Sequence, residues 1–271
     1  MDERPRLLVT LEGYAVEGGM DRPYEPATCY RPTIALGRHE GPGDGTGLWR
    51  DYEAVLDLVP GFGFDGVRLS VEWARIEPRR GEVDGAALDR YALAVSHALA
   101  MGLDVTLVLV DAAWPAWLGL EAWLLPWVVP VMIEHSRRVV AHLNGLDVGV
   151  LGFSDPERLV SGGFVDATAP PWRTGASADA RSARSQLATI EAALGHDDLV
   201  GPKLVRSHRC ISLDQSVDAI VAARATSDVG ELYVRSMLRG TGPTAAPRGL
   251  IVKRDGVWVN DASAELLDAL R

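Results

Sequence analysis

Three acidic residues stand where they could transfer protons to and from a small substrate: Glu72, Asp111 and Asp155. Each lies just beyond a short apolar run that is typical of a buried strand. The carboxyl ends of parallel strands meet at one face of a barrel, and residues of equal parity there point into one pocket. If two of these carboxyl groups lie close together, charge repulsion raises one pKa and leaves an acid beside a base. The pattern therefore predicts acid/base chemistry.

Polar and aromatic residues accompany these acids. Arg68 and Ser70 share the parity of Glu72 on its predicted strand, and Trp114 and Trp117 follow Asp111. An acid beside indole faces suits the binding of a polyol or a cation. We therefore expect Arg68 and Trp114 to contact the substrate.

Each of these residues also has a structural interpretation, which the sequence leaves open. Glu72 could cap a loop at the surface, and Asp111 could cap a helix. Asp155 precedes Pro156 and could initiate a turn. Trp117 could serve packing alone.

The elements that would position these residues alternate between short apolar runs and longer segments of helical period. This alternation predicts parallel strands joined by crossover helices. Strands are predicted at 7–11, 66–71, 105–110, 148–153, from 204 onward and at 232–237. Helices are predicted at 48–59, 86–101, 125–143, 178–194, 213–223 and 262–270.

The predicted fold class is α/β, a TIM-type (β/α)8 barrel. Six barrel strands are evident where a complete barrel needs eight, so either two short strands lie between 194 and 204 or the barrel is abbreviated to six or seven units. Residues 1–271 are expected to form one domain. It would include a long loop at 12–47 and a C-terminal hairpin plus helix at 248–271, turning at Asp255-Gly256.

Composition excludes several classes of protein. The net charge of −10 disfavours nucleic acid and anionic membranes as partners. Cys29 and Cys210 have no metal-ligand spacing, and no phosphate-binding or dinucleotide motif occurs, so neither a metal nor a cofactor is expected. The charged N-terminus does not resemble a signal peptide, and no apolar stretch is long enough to span a membrane. We therefore expect a cytoplasmic protein with a small-molecule substrate; composition does not indicate its oligomeric state.

Several segments resemble the family 1 β-glycosidases. The sequence GVRLSVEWARIEP at 66–78, with GEV at 81–83 and LDRY at 88–91, is similar to the second strand and following loop of that family. Weaker similarity covers GYAVEG at 13–18, VTLVLVD at 105–111, WPAWL at 114–118, FSDP at 153–156, YVRSML at 233–238 and PRGLIV at 247–252. The resemblance implies a TIM-type barrel, shortened between the fourth helix and the penultimate strand.

The family's catalytic residues are not retained. Retaining hydrolysis in this family needs two carboxylates about 5 Å apart. Asp155 stands in place of the acid/base glutamate, which makes it the leading candidate, and Ser154 replaces the adjacent asparagine. The segment 202–209, expected to match the nucleophile motif, contains no carboxylate, and Ser207 falls nearest that position. The family's sugar-binding glutamine, histidine and tryptophan are replaced by Ala15, Leu109 and Arg235.

These replacements bring positive charge where the family has its anionic nucleophile. Arg206, Ser207 and His208, together with Arg68 and Arg235, could accept a carboxylate or an enolate. Arg68 matches the family arginine that contacts the nucleophile, and Tyr233 falls in a matching segment, so the resemblance implies that both bind substrate. His208 could instead be a solvated loop residue. A Ser-His-Asp triad would lack the usual glycine-flanked serine.

Three functions agree with the sequence. The first is a barrel enzyme acting on a small polar or glycosylated metabolite as a lyase, isomerase, cyclase or atypical hydrolase. The second is a residual β-glycosidase in which Asp155 acts as acid while Asp111 or Glu72 activates water. The third is a non-catalytic barrel that binds a ligand.

Overall fold

The computed structural model of this chain describes residues 6–205, 207–212, 231–236, 249–253 and 256–260, with side chains for 8–205. Eight strands form one sheet in the order β4-β3-β2-β1-β7-β8-β6-β5. They are β1 (Arg6–Leu11), β2 (Gly66–Ser70), β3 (Asp104–Val110), β4 (Gly149–Phe153), β5 (Ser207–Ser212), β6 (Glu231–Ser236), β7 (Gly249–Lys253) and β8 (Gly256–Asn260).

Neighbouring strands run parallel except around β7, which pairs antiparallel with both β1 and β8. The far edges of the sheet also approach each other. Leu204 forms a parallel bridge with Val150 of β4, and the Val205 N–H donates to the Val150 carbonyl at 2.7 Å. The sheet therefore curves toward closure as an abbreviated α/β barrel, which confirms the predicted fold class.

The seventh and eighth strands do not come from the region where the sequence left room for two more. Between 194 and 204 the structure has the end of a helix and a 3-10 turn at Gly201–Lys203. The hairpin of β7 and β8 supplies two strands instead. Because the chain reverses between them, one strand of the sheet runs against the others.

Helices cover the parallel part of the sheet. They are α1 (Gly13–Val16), α2 (Arg31–Ala35), α3 (Tyr52–Leu56), α4 (Trp73–Ile76), α5 (Gly85–Ala100), α6 (Val128–His142), α7 (Pro156–Phe164) and α8 (Ser177–Gly195). Helices α5, α6 and α8 agree with their predicted positions, and α3 is shorter than predicted. Helix α7 and the short helices α1, α2 and α4 were not predicted. The predicted helices at 213–223 and 262–270 lie outside the described residues.

The core lies between these helices and the first four strands. All five residues of β2 are buried, as are Val105 to Val110 of β3. Such unbroken burial is typical of parallel strands covered on both faces. It fixes the strand ends that carry the polar residues described below.

Within the described residues, no single helix has the length and apolar character needed to cross a membrane. The segments Ala116–Leu124 and Val128–His142 reach that length only together, and they meet at a bend of 120°.

Candidate active site

The carboxyl ends of β1 to β4 bring polar side chains to one face of the sheet. Glu12 follows β1, Glu72 follows β2, Asp111 follows β3 and Asp155 follows β4. The three predicted acids therefore do lie at parallel strand ends. A fourth, Glu12, joins them.

Glu12 has the electrostatic setting of a proton-transfer group. Arg158 of α7 donates from Nη1 to Glu12 Oε1 at 3.2 Å. Burial and the negative charge of Asp111 raise the Glu12 pKa to about 7, although the cations of Arg158 and Arg68 oppose the rise. Glu12 therefore exchanges its proton near neutral pH.

Asp111 is held in place by the neighbouring strand. Its Oδ2 accepts a hydrogen bond from the Ser70 hydroxyl at 2.9 Å, and the residue is only 7% exposed. The two strands run parallel in fixed register, with Ser70 beside Val108. A buried carboxyl so fixed can act on Glu12 through its charge without changing position.

Arg68 connects β2 to the end of β4. The residue is completely buried, and its Nη2 donates to the Ser154 carbonyl at 2.6 Å. Its charge also lowers the pKa of Glu12. Arg68 thus contributes a fixed positive charge beneath the strand ends.

Asp155 caps helix α7. Its Oδ1 accepts the backbone N–H of Arg158 at 3.0 Å, and Pro156 occupies the first helical turn. This is a standard N-cap with proline just inside the helix. The geometry supports the structural interpretation of Asp155, and a catalytic role stays a prediction.

The cap gives Asp155 a measurable effect on stability. Asp155→Ala is expected to lower the free energy of unfolding by about 1 kcal/mol, because the Arg158 N–H loses its acceptor. Asp155→Asn should stay close to wild type, since asparagine caps equally well. Urea denaturation of the two variants measures this. Equal stabilities for both variants would show that the cap contributes little.

Glu72 is buried against the chain that follows β1. A Cβ placed on Gly13 would lie 2.9 Å from the Glu72 carboxyl, so glycine is needed at 13 for this packing. Burial raises the pKa of Glu72 well above its usual value, and the charges of Glu17 and Asp111 raise it further. Glu72 therefore holds its proton more tightly than an ordinary glutamate does.

A network of charges continues from Glu72 to the 12–47 loop. The Glu72 backbone N–H donates to the Tyr91 hydroxyl at 2.9 Å, and this hydroxyl donates to Glu17 at 2.6 Å. Arg75 bonds Glu17 and Glu25, each at 2.7 Å, and the Gly18 carbonyl at 2.9 Å. Burial raises the pKa of Glu17 to about 7 despite Arg75. This network anchors the loop to α4 and α5.

Aromatic rings lie beside the strand ends. Tyr30 stacks on Tyr14 and on His39, with centroid distances of 4.6 and 4.8 Å. Trp172 meets Tyr30 edge-on at 5.8 Å and has a positive φ of 55°. Burial raises the pKa of both tyrosines. The charges of Asp111 and Arg158 act on Tyr30 and that of Glu72 acts on Tyr14, so these two rings lie near the strand-end acids.

Trp114 belongs to the hydrophobic core. It is completely buried, its indole N–H donates to the Gly119 carbonyl at 2.8 Å, and its ring packs edge-on against Trp123. The Trp117 indole N–H donates to the Glu77 carbonyl at 2.8 Å. These contacts support packing roles for both tryptophans, and the expectation that Trp114 binds substrate stays a prediction.

The predicted cationic group is only partly described. Ser207 and His208 open β5, so they lie at its amino end, while its carboxyl end is at Ser212. In β6, Tyr233 pairs with Arg209, and Arg235 lies next to the carboxyl end. The side chains of β5 and β6 lie outside those that the structure describes, so the substrate-binding roles of Ser207, His208, Tyr233 and Arg235 stay predictions. Arg206 lies outside the described residues.

Sequence reasoning missed Glu12 and Arg158. Glu12 directly follows the first predicted strand, so the rule that selected the other three acids would have selected it too. Arg158 follows the Asp-Pro-Glu run, a helix start with its cap. Within 8–205, no group of three or more potential metal ligands converges.

Comparison with known proteins supports this fold. No family model matches the chain. The chain is similar to the chloroplastic β-glucosidase-like SFR2 of rice (Oryza sativa subsp. japonica), with 30% identity over 121 residues, 42% of this chain and 18% of that protein. It is also similar to β-glucosidase 47 of Arabidopsis thaliana, with 29% identity over 126 residues, 45% of this chain and 24% of that protein.

Among solved structures, the chain is similar to the β-glycosidase from Pyrococcus horikoshii. The TM-score is 0.67 at 17% identity, covering 87% of this chain and 62% of that one. The chain thus has a β-glucosidase-like fold in shortened form, which confirms the resemblance found in the sequence. It spans under two thirds of that structure and under a quarter of the length of both plant relatives.

Proposed function

We propose that this chain is a β-glycosidase-like barrel enzyme that transfers protons on a small polar or glycosylated metabolite. The reaction is a lyase, isomerase, cyclase or atypical hydrolase step that forms no covalent glycosyl intermediate. One observation carries the proposal: Glu12 lies at a strand end, hydrogen-bonded to the Arg158 guanidinium, and burial together with the charge of Asp111 raises its pKa to about 7. A group that titrates near the working pH is suited to general acid/base catalysis.

The neighbours of Glu12 give it two usable states. Protonated, Glu12 donates to a leaving oxygen or to a carbonyl oxygen of the substrate. After that transfer, the Arg158 guanidinium at 3.2 Å stabilises the carboxylate. The negative charge of Asp111, which Ser70 holds in place, then favours reprotonation of Glu12. Arg68 supplies positive charge toward an anionic intermediate such as an enolate.

The test looks for turnover and for a covalent intermediate separately. The protein is incubated with aryl β-glycosides and with a mixture of polar metabolites, and NMR follows the products. An activated 2-deoxy-2-fluoroglycoside, which traps a glycosyl-enzyme when one forms, is analysed by intact mass. We expect turnover without added mass. A stoichiometric covalent adduct would overturn the proposal, and so would a failure to convert any of these compounds.

Residual glycoside hydrolysis by direct attack of water is the second candidate. It is supported by the acids at neighbouring strand ends, Asp111 and Asp155, and by the relatives that are named β-glucosidases. Asp155 would act as acid, with Asp111 or Glu72 as base. Direct attack inverts the anomeric centre. NMR of the freshly released sugar separates the candidates, because an α-anomer formed first from a β-glycoside indicates the second.

A further inference from the structure

A cavity of about 430 Å³ lies on the side of the 12–47 loop and is separate from the group of acids around Glu12. Its volume is in the range of small-molecule sites. The side chains that matter for its chemistry are Glu17, Arg22, Glu25, Trp49, Arg50 and Arg90. Neither Glu12 nor Asp111 lines it.

Most charges around this cavity already have partners. Arg75, behind the wall, bonds Glu17 and Glu25, and Arg22 pairs with Asp44. Arg90 donates to the backbone carbonyls of Trp49 and Arg50. Within residues 8–205, the exposed Arg50 guanidinium has no hydrogen bond or ion pair.

The loop leaves Arg50 free to face the cavity. A Cβ on Gly47 would lie 3.4 Å from Arg50 Nη2, and Gly47 has a positive φ of 77°, so a side chain is disfavoured there. The Trp49 ring is covered by Arg75 at 4.2 Å and approached by Arg90 at 5.5 Å. The wall is therefore rigid and polar, with one uncommitted cation at its edge.

The balance of charge sets the class of ligand. Four guanidinium groups and three carboxyl groups lie in or behind the cavity, which leaves at least one positive charge in excess: Arg22, Arg50, Arg75, Arg90, Glu17, Glu25 and Asp44. The whole chain has a net charge of −10, so this local excess of positive charge favours binding of an anion here. The carboxylates of Glu25 and Asp44 retain lone pairs that can accept from hydroxyl groups.

We infer that this cavity binds a small hydroxylated monocarboxylate of the sugar-acid class. Arg50 binds the ligand carboxylate through two parallel N–H donors, a geometry that guanidinium provides and ammonium does not. The ligand hydroxyls donate to Glu25 and Asp44. The site is distinct from the proposed catalytic one.

Calorimetric titration with glucuronate tests the inference, with glucose as the uncharged comparison. We expect saturable glucuronate binding that Arg50→Ala weakens by roughly tenfold or more, while Arg50→Lys weakens it less. Arg38→Ala, which removes an exposed arginine of the 12–47 loop outside the cavity, should bind as wild type does. The affinity of the wild type for glucose should be no higher than the affinity of Arg50→Ala for glucuronate.

Three results would overturn the inference. They are an absence of saturable glucuronate binding at millimolar concentration, equal affinity of the wild type for glucose, and equal losses in Arg50→Ala and Arg38→Ala. Because Arg68 and Arg158 could also attract an anion, Glu12→Gln is titrated in parallel. Unchanged affinity in that variant agrees with the loop cavity. A gain in affinity, expected at the strand ends because a negative charge beside Arg158 is removed, would assign the ligand there instead.

Discussion

Glu12→Gln is expected to lower turnover by about 10²- to 10⁴-fold, because the side chain can no longer exchange a proton. The same change should stabilise the folded chain at about pH 8 by ~1–2 kcal/mol, allowing for partial solvent exposure of the carboxyl group. Loss of activity with a gain in stability is the signature of a strained catalytic acid. A residue that serves structure alone would show the opposite change in stability.

The pH dependence follows from the direction of the shift. The folded chain holds the Glu12 proton up to about pH 7, whereas the unfolded chain releases it near the usual 4.5. Stability from this group is therefore fully present below pH 4.5 and is lost as pH rises through 7. Glutamine does not titrate, so the free energy of unfolding of Glu12→Gln should increase relative to that of the wild type as pH rises.

Urea denaturation at about pH 5 and about pH 8 measures the difference, and kcat/KM on the substrate found in the screen measures the loss. Glu40→Gln, an exposed acid in the same loop, is the matched control and should change neither quantity. The assignment of Glu12 is contradicted if its variant keeps full turnover and the same pH dependence as wild type.

Removal of Arg75 is expected to have the largest effect on stability. Arg75→Ala should lower the free energy of unfolding by about 3–5 kcal/mol, because it leaves the buried Glu17 carboxyl without its cation. It also removes the contacts to Glu25, the Gly18 carbonyl and the Trp49 ring. The loss should be larger at high pH, where Glu17 must ionise without a partner.

Arg79→Ala is the control for this change. Arg79 forms an exposed ion pair with Glu82, which is expected to contribute less than about 1 kcal/mol. Thermal and urea unfolding of both variants at two pH values give the comparison. Similar small losses in the two would mean that the buried network does not hold the loop in place.

The sequence predicts those strands whose buried positions can be recognised from the local sequence alone. Strand β3 is a nearly continuous apolar run, whereas Arg68 and Ser70 interrupt the apolar residues of β2. The sequence predicts both strands to within a residue of their positions. Strand β5 was expected to open at 204, because Leu204 and Val205 are apolar, but it spans Ser207–Ser212. The apolar pair instead pairs with β4, a contact across the sheet that no local pattern reveals.

The candidate site was predictable only in part. The position of Glu72 and Asp111 at predicted strand ends identified both as candidates. Glu12 also follows a strand, but it was interpreted as the start of a loop and was therefore missed. Burial decided the properties of Glu72, through contacts with Gly13 and Tyr91 that are distant in sequence. Long-range packing of this kind cannot be obtained from spacing.

The antiparallel strand β7 has a consequence for how the chain matures. It pairs with β1 so that Arg6 faces Lys253, which joins opposite ends of the sequence. Contacts of such high sequence separation form late in folding. During synthesis, β1 therefore presents an open edge until β7 has emerged, and an unpaired strand edge is prone to aggregation. Strand β1, which Glu12 follows, pairs with β2 on its other edge, so the edge that β7 covers is the one completed last.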